Sequence, residues 1–444
     1  MSYPRYPKYR DSGIEWLGEV PEGWDVYRMA SLFREAIRLG DPALPVLSIS
    51  IHDGITDEEL SPEDRDRKVS QIEDKTKYKL VVPNDLAYNM MRAWQGAFGT
   101  VMVDGLVSPA YVVAEPTCSF RTGYIEQLLR TPMAIEEMRR FSRGIADFRM
   151  RLYWEYFRDL RVCLPPIHEQ GAILEFISRE TARIDALIEK KTRFIELLKE
   201  KRSALITHAV TKGLDPNVKM KDSGVEWLGE VPEHWQVKPI RRVLSSPLSN
   251  GIFKKKEEFG EGALLINVFD IYRQDFKVDF DSLDRVKCDP SEIVNYEVFA
   301  NDLFFVRSSL KQEGIAVVAI AGNCSEPVVY ECHLIRARPN RQVLNGHFGS
   351  YVLNSVVYRS KMVAKAKITT MTTIDQEAIL STELPLPSIV EQSAIAAFLD
   401  RETARIDALV EKTGKSIELL KERRSALITA AVTGKIDVRN IGHE

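Results

Sequence analysis

The chain has no pair of cysteines at redox or zinc-ligand spacing. Its five cysteines, Cys118, Cys163, Cys288, Cys324 and Cys332, are odd in number and irregularly placed, which points to reduced, structural thiols. The seven histidines are scattered and none belongs to an HExxH helix, so a metal site is without support. No apolar run approaches the roughly 20 residues of a membrane span, and the opening MSYPRYPKYRDSG lacks the apolar core of a secretory signal. A cytoplasmic protein with no membrane role is the expectation. An excess of either charge is missing too. A formal net charge of −3 gives no whole-molecule field that favours nucleic acid, although local basic patches, or partner subunits bringing positive charge, stay open.

Cofactor motifs are equally scarce. Gly414-Lys415-Ser416 has the look of the tail of a phosphate-binding loop, but the first glycine of that loop would stand where Leu409 is, and no strand precedes it. No G-x-G-x-x-G follows a strand. The Asn/Asp-Pro-Pro-aromatic string of amino-group methyltransferases is absent. Its nearest relatives, NDLAY at 84 to 88 and NDLFF at 301 to 305, lack both prolines, so Asp85 and Asp302 read as turn closers.

What the chain does have is repetition. With 444 residues, 44% hydrophobic and 28% charged, it can build two or three domains, each with its own core. DSGIEWLGEVPEGW, from Asp11 to Trp24, recurs as DSGVEWLGEVPEHW, from Asp222 to Trp235. HEQGAILEFISRETARIDALIEKKTRFIELLKEKRSALITHAVTKGLD, from His168, recurs from Val390 as VEQSAIAAFLDRETARIDALVEKTGKSIELLKERRSALITAAVTGKID. Each half thus runs phrase, variable block, long repeated segment.

The long segments carry a heptad stripe. Ile184, Ile188, Lys191, Ile195, Leu198, Arg202, Leu205 and Ala209 alternate steps of four and three, as do Ile406, Val410, Thr413, Ile417, Leu420, Arg424, Leu427 and Ala431. Some 40 residues at about 1.5 Å each make a rod of roughly 60 Å. Ser388 and Glu391 have capping-box spacing, Pro165 and Pro166 stand before Glu169, and Gly213 and Gly434 sit where a left-handed C-terminal residue belongs. Gly414 inside the second segment costs about 1 kcal/mol relative to alanine. Two matching rods in one chain favour pairing with each other over homodimerisation.

The variable blocks read as mixed α/β. Strands are expected at 44–51, 86–91, 99–107 and 110–115, and at 264–271, 302–309, 315–322 and 327–337; helices are expected at 123–141 and 348–366. Both blocks share the order turn, strand, glycine, as divergent copies of one fold would. The resulting fold class is α+β: two globular mixed α/β domains separated by an antiparallel pair of long coiled-coil helices, with a pseudo-twofold internal repeat. The segments are a lead-in at 1–24, a first block at 25–165, a first helix at 166–213, a linker with the repeated lead-in at 214–235, a second block at 236–386, a second helix at 387–434 and a tail at 435–444.

Nucleic-acid hints are local. Asn89, Arg92, Trp94 and Gln95 combine groups able to reach base edges and phosphates with a planar ring; Arg307, Ser308, Lys311 and Gln312 do so in the second block. Arg143 and Arg149 flank a glycine, Asn250 precedes Lys254, Lys255 and Lys256, and Lys365 and Lys367 are a possible counterpart. Each stretch alone is more often a solvated face.

The repeated EQ..I..F..RETARIDAL.EK....IELLKE.RSALIT.AVT, preceded by LPPI or LPSI, resembles the conserved regions of the DNA-specificity subunit of type I restriction-modification systems. DSG.EWLGEVPE.W resembles the lead-in to that family's target-recognition domains. The resemblance implies two such domains, each reading one half of a bipartite double-stranded DNA site, on a non-catalytic subunit. It implies as partners two modification subunits that bind S-adenosylmethionine and methylate adenine, and restriction subunits that use ATP and Mg2+ to translocate and cleave DNA. The helices would dock the modification subunits, through exposed positions such as Arg183, Glu189, Lys190, Glu196, Lys199 and Glu200. Base-contacting residues are not a fixed motif of the family. The competing readings are a coiled-coil assembly protein without a DNA role and a degenerate methyltransferase or nuclease, which S-adenosylmethionine binding by the isolated chain would favour. The acidic phrase itself reads as a joint: Trp16 and Trp227 would bury their rings as its anchors, Trp24 and Trp235 would begin each block, and the first copy would lie beside the end of the second helix, closing the chain into a ring.

Overall fold

A computed structural model describes residues 3–51, 54–57, 74–144, 150–368, 371–439 and 441. It is an α+β fold in two compact units, Met1–Lys190 with Ser416–Glu444, and Lys191–Lys415.

In the first unit the lead-in forms a hairpin, Tyr9–Asp11 against Glu19–Pro21, with Gly13 and Gly18 left-handed in its turns. The next strand, Asp25–Arg28, pairs with Arg161–Leu164, so the beginning and end of the block are buckled together. Between them lies a four-stranded antiparallel sheet in the order Phe33–Glu35, Tyr111–Pro116, Leu86–Asn89, Phe98–Thr100. Trp24, Tyr88, Phe98, Tyr124 and Phe157 fill its core.

The second unit repeats this plan. Met220–Asp222 pairs with Glu230–Pro232, Gln236–Pro239 with Glu383–Leu386, and the four-stranded sheet runs Ser249–Asn250, Leu334–Ala337, Leu303–Val306, Val318–Ile320. It adds a three-stranded sheet, Asp284–Val286, Phe259–Ile266 and Val328–Tyr330, whose last pair is parallel. The run expected as one strand at 327–337 is two, because the chain turns at 331–333.

The helical stretches break in both blocks. Thr122–Leu129 stops before Pro132–Phe141, since a proline in mid-helix would lose a hydrogen bond, and Thr131 caps the new start through its side chain. Gly346–Asn354 likewise gives way to Val356–Ala364 at the extended Ser355.

Each long repeated segment is a single helix, Ile167–Lys212 and Ile389–Val432. All sixteen stripe positions, including Ile184, Ile188, Ile195, Leu198, Leu205, Ile406, Val410, Ile417, Leu420 and Leu427, are buried or half-buried. Gly213 and Gly434 are left-handed, with φ of 80° and 72°. At the N-terminal ends the outcome differs from a reciprocal capping box. Ser388 Oγ accepts from the Glu391 amide at 3.3 Å, but the Glu391 carboxylate turns away to Trp235 Nε1 at 3.0 Å and His234 at 2.9 Å. In the first unit Glu169 takes Trp24 Nε1 at 3.0 Å and the Tyr6 hydroxyl. The deep anchors of the lead-in are therefore Trp24 and Trp235, fully buried, while Trp16 and Trp227 are half-buried.

Candidate nucleic-acid interface

Both central strands begin at the same turn. Asn84 and Asn301 are left-handed, with φ of 73° and 80°, a conformation asparagine tolerates. Asp85 accepts from the Val82 amide at 3.0 Å and Asp302 from the Phe299 amide at 2.9 Å. These carboxylates, 1% exposed, close turns as their sequence suggested, and each is neutralised by an arginine, Arg38 or Arg338.

The candidate DNA residues lie at the other end of the same strands. In the first unit the chain leaves the strand at Asn89, whose side chain accepts from the Met91 amide at 3.0 Å, and turns through Arg92 to the short helix Ala93–Gln95. Trp94 Nε1 donates to the Met91 carbonyl at 3.0 Å, and the Arg139 guanidinium stacks 5.3 Å from the Trp94 ring centre. Beside this turn, Arg143 and Arg151 bridge backbone to backbone, Leu152 donates to the Met90 carbonyl, and Arg143 lies 5.0 Å from the Tyr156 ring centre. Asn89, Arg92, Trp94, Gln95 and Arg143 thus share one basic, aromatic face. Arg149 lies outside the described residues.

The second unit builds the equivalent face with other residues. From Val306 the chain passes through exposed Arg307 into Ser308–Ser309, which pairs with Thr372–Thr373, itself paired with Lys367–Ile368. Ser308 is buried and bonded to His333 Nδ1, so it holds the loop and presents nothing outward. Lys311 and Gln312 are exposed on the same loop. Lys367 reaches Asp375 at 3.0 Å, and the Ala378 amide followed by Lys367 holds the Asp375 carboxyl below its usual range. Asn250 is exposed and accepts from Gln376.

A survey of family models finds none that matches. Among curated proteins, the chain is 24% identical over 291 residues to the type I restriction enzyme MjaVIII specificity subunit of Methanocaldococcus jannaschii, and 23% over 292 residues to the EcoBI specificity subunit of Escherichia coli. The first alignment covers 64% of each chain; the second, 63% of this chain and 59% of the relative. The matches therefore span less than two thirds of these relatives. In fold, the HsdS subunit from Thermoanaerobacter tengcongensis superposes with a TM-score of 0.57 at 15% identity, covering 94% of this chain and 98% of that one. A chain from a structure addressing complex assembly and conformational transition of the type I R-M system reaches 0.70 at 14% identity, over 93% and 98%. The curated relatives it resembles are type I restriction enzyme specificity subunits, and the solved chains share its fold.

Not every basic residue in the candidate set faces outward. Lys254, its side chain 6% exposed, is tied to Glu292 at 2.8 Å and Glu258 at 3.2 Å; burial works against its charge, but the two carboxylates hold its ammonium above the usual range. It supports the loop, while Lys255 and Lys256 beside it are exposed. Lys365 donates inward to Thr382 Oγ1 at 3.0 Å. Sequence reasoning missed Arg139, because the helix break at Pro132 sets the course of the helix that brings it over Trp94. It also missed the apolar part of the long helices' outer surface: Leu187, Phe194 and Leu197 on one, and Leu409 and Leu419 on the other, are 40% to 64% exposed. Among the described residues no helix is long and apolar enough to cross a membrane.

Proposed function

We propose that this chain is the non-catalytic DNA-specificity subunit of a type I restriction-modification complex, with blocks 25–165 and 236–386 each reading one half of a bipartite double-stranded site. The observation that carries this reading is the doubled face: in both units the loop leaving the central strand, beside a bridged or paired segment, gathers arginine or lysine with amide groups, and in the first unit with aromatic rings as well. Such loops suit base edges through arginine and glutamine and phosphates through lysine.

The two long helices would run antiparallel as the frame. Within the second unit, Arg202 meets Asp407 at 3.0 Å, while Gly213 at one helix end approaches Glu391 at the start of the other. Within the first, Asp185 meets Arg424 at 2.9 Å, while Trp24 joins Glu169 to the neighbourhood of Gly434. Numbers rise on one helix as they fall on the other. The exposed leucines and neighbouring charges of these helices are the proposed seats of two modification subunits, which would supply S-adenosylmethionine-dependent adenine methylation; restriction subunits would bring ATP- and Mg2+-dependent translocation and cleavage.

The test is a footprint of the chain with its modification partner. Two short protected tracts with an unprotected spacer are expected, and one continuous tract would overturn the reading. Arg92→Ala should relax sequence preference in one tract and Arg307→Ala in the other. A variant that instead weakens all DNA alike marks its residue as a phosphate contact.

A further inference from the structure

Resting on the DNA-reading function above, we propose that each reading face carries an apolar wedge, Met91 in the first unit and Leu310 in the second, which enters the base stack of its half-site and opens one base step. Leu310 is 84% exposed. A lone exposed leucine is ordinary on a protein surface. What distinguishes this one is that its loop is built not to collapse. Lys311 donates its amide to Ser309 Oγ at 3.2 Å, Gly314 donates to the Lys311 carbonyl at 3.0 Å, and Tyr272 donates its hydroxyl to the Gly314 carbonyl at 3.2 Å. The Arg359 guanidinium reaches the carbonyls of Glu313 and Ile315 from behind. The isobutyl group is therefore carried, exposed, on a pinned backbone, three residues after exposed Arg307 and directly before exposed Lys311.

The first unit repeats the arrangement with a different residue. Met91 is 45% exposed on the loop that leaves the equivalent strand, next to Arg92. Its amide is fixed by Asn89 and its carbonyl by the Trp94 indole. Leucine and methionine are both among the side chains that proteins drive between base pairs, and cations flanking the point of insertion can hold the phosphates on either side of the opened step. An apolar side chain can also contact a thymine methyl without disturbing the stack, and the two modes are separable by experiment.

The experiment uses the full chain with its modification partner and a duplex carrying the motif methylated in the host. 2-Aminopurine replaces, one at a time, bases of both half-sites other than the methylated adenine. One position in each half-site is expected to brighten on binding. Leu310→Ala should quench the bright position of one half-site and weaken binding about tenfold, leaving the other half-site bright as an internal control of folding; Met91→Ala should do the converse. If the two-tract footprint persists but no position brightens in the intact complex, the wedge is wrong while the reading function stands. It is equally wrong if thymine→uracil reproduces the affinity loss of Leu310→Ala with no fluorescence change in either case, which would mark a methyl contact. Absence of the two-tract footprint overturns the reading function and the wedge together.

Discussion

Glu169 and Glu391 stand three residues inside their helices, and each receives the indole N–H of the tryptophan that ends the lead-in. The two sites differ in depth. Glu169 is 5% exposed and also accepts the Tyr6 hydroxyl, whose own ionisation is pushed far up by burial and then by Glu169, so it stays a donor. Glu169→Ala leaves two buried donors without a partner and should cost about 3 kcal/mol in urea unfolding. Glu391→Ala should cost roughly half of that, because the Glu391 side chain is 29% exposed and water can replace it. Equal losses would mean that burial does not set the difference. A gain is expected at Gly414: a Cβ there meets nothing within 4 Å, so Gly414→Ala should raise stability by about 1 kcal/mol. The residues of these sites were visible in the sequence as a phrase and a helix start. Their meeting was not, since 145 residues separate Trp24 from Glu169.

At the scale of elements, period and turn chemistry were legible and long-range partners were not. The stripe at steps of four and three marked the buried side of both long helices, and Asn-Asp-Leu marked the turn before each central strand. The cation that neutralises that turn was hidden for a physical reason. Arg38 lies 47 residues before Asp85, whereas Arg338 lies 36 residues after Asp302, so the same ion pair is supplied from opposite directions along the chain. Removing either arginine strands a carboxylate that is 1% exposed. Arg38→Met and Arg338→Met should each cost about 3 kcal/mol, read as a fall in urea midpoint with the slope unchanged. A loss below about 1 kcal/mol would mean the turn amides alone hold the charge. The candidate faces were half legible. Arg92 and Arg307 could be picked by chemistry, but Lys254 and Ser308 turned out to brace their loops, which only packing decides.

For the whole molecule, the doubled phrase raises a question of connectivity. The second lead-in follows the first long helix through a short covalent link, and the Lys212 ammonium donates to the Glu230 carbonyl. The first lead-in has no such link to the second helix, yet it makes the matching contact: Lys435 Nζ donates to the Glu19 carbonyl at 2.8 Å. Around it, Tyr9 donates to the Gly434 carbonyl at 2.9 Å, the Asp437 amide to the Pro4 carbonyl at 2.9 Å, and the Arg439 guanidinium stacks 4.8 Å from the Tyr6 ring centre. The lysine-to-carbonyl contact between a helix end and a lead-in is thus made in both units. A permutant that joins the stretch after Arg439 to Tyr3 through a short Gly/Ser linker and opens the chain at Asp215–Asn217, where the backbone is exposed, should fold and protect the same two tracts. If it folds but protects only one tract, continuity at 213–219 positions the second block, and the symmetry of the joint is superficial.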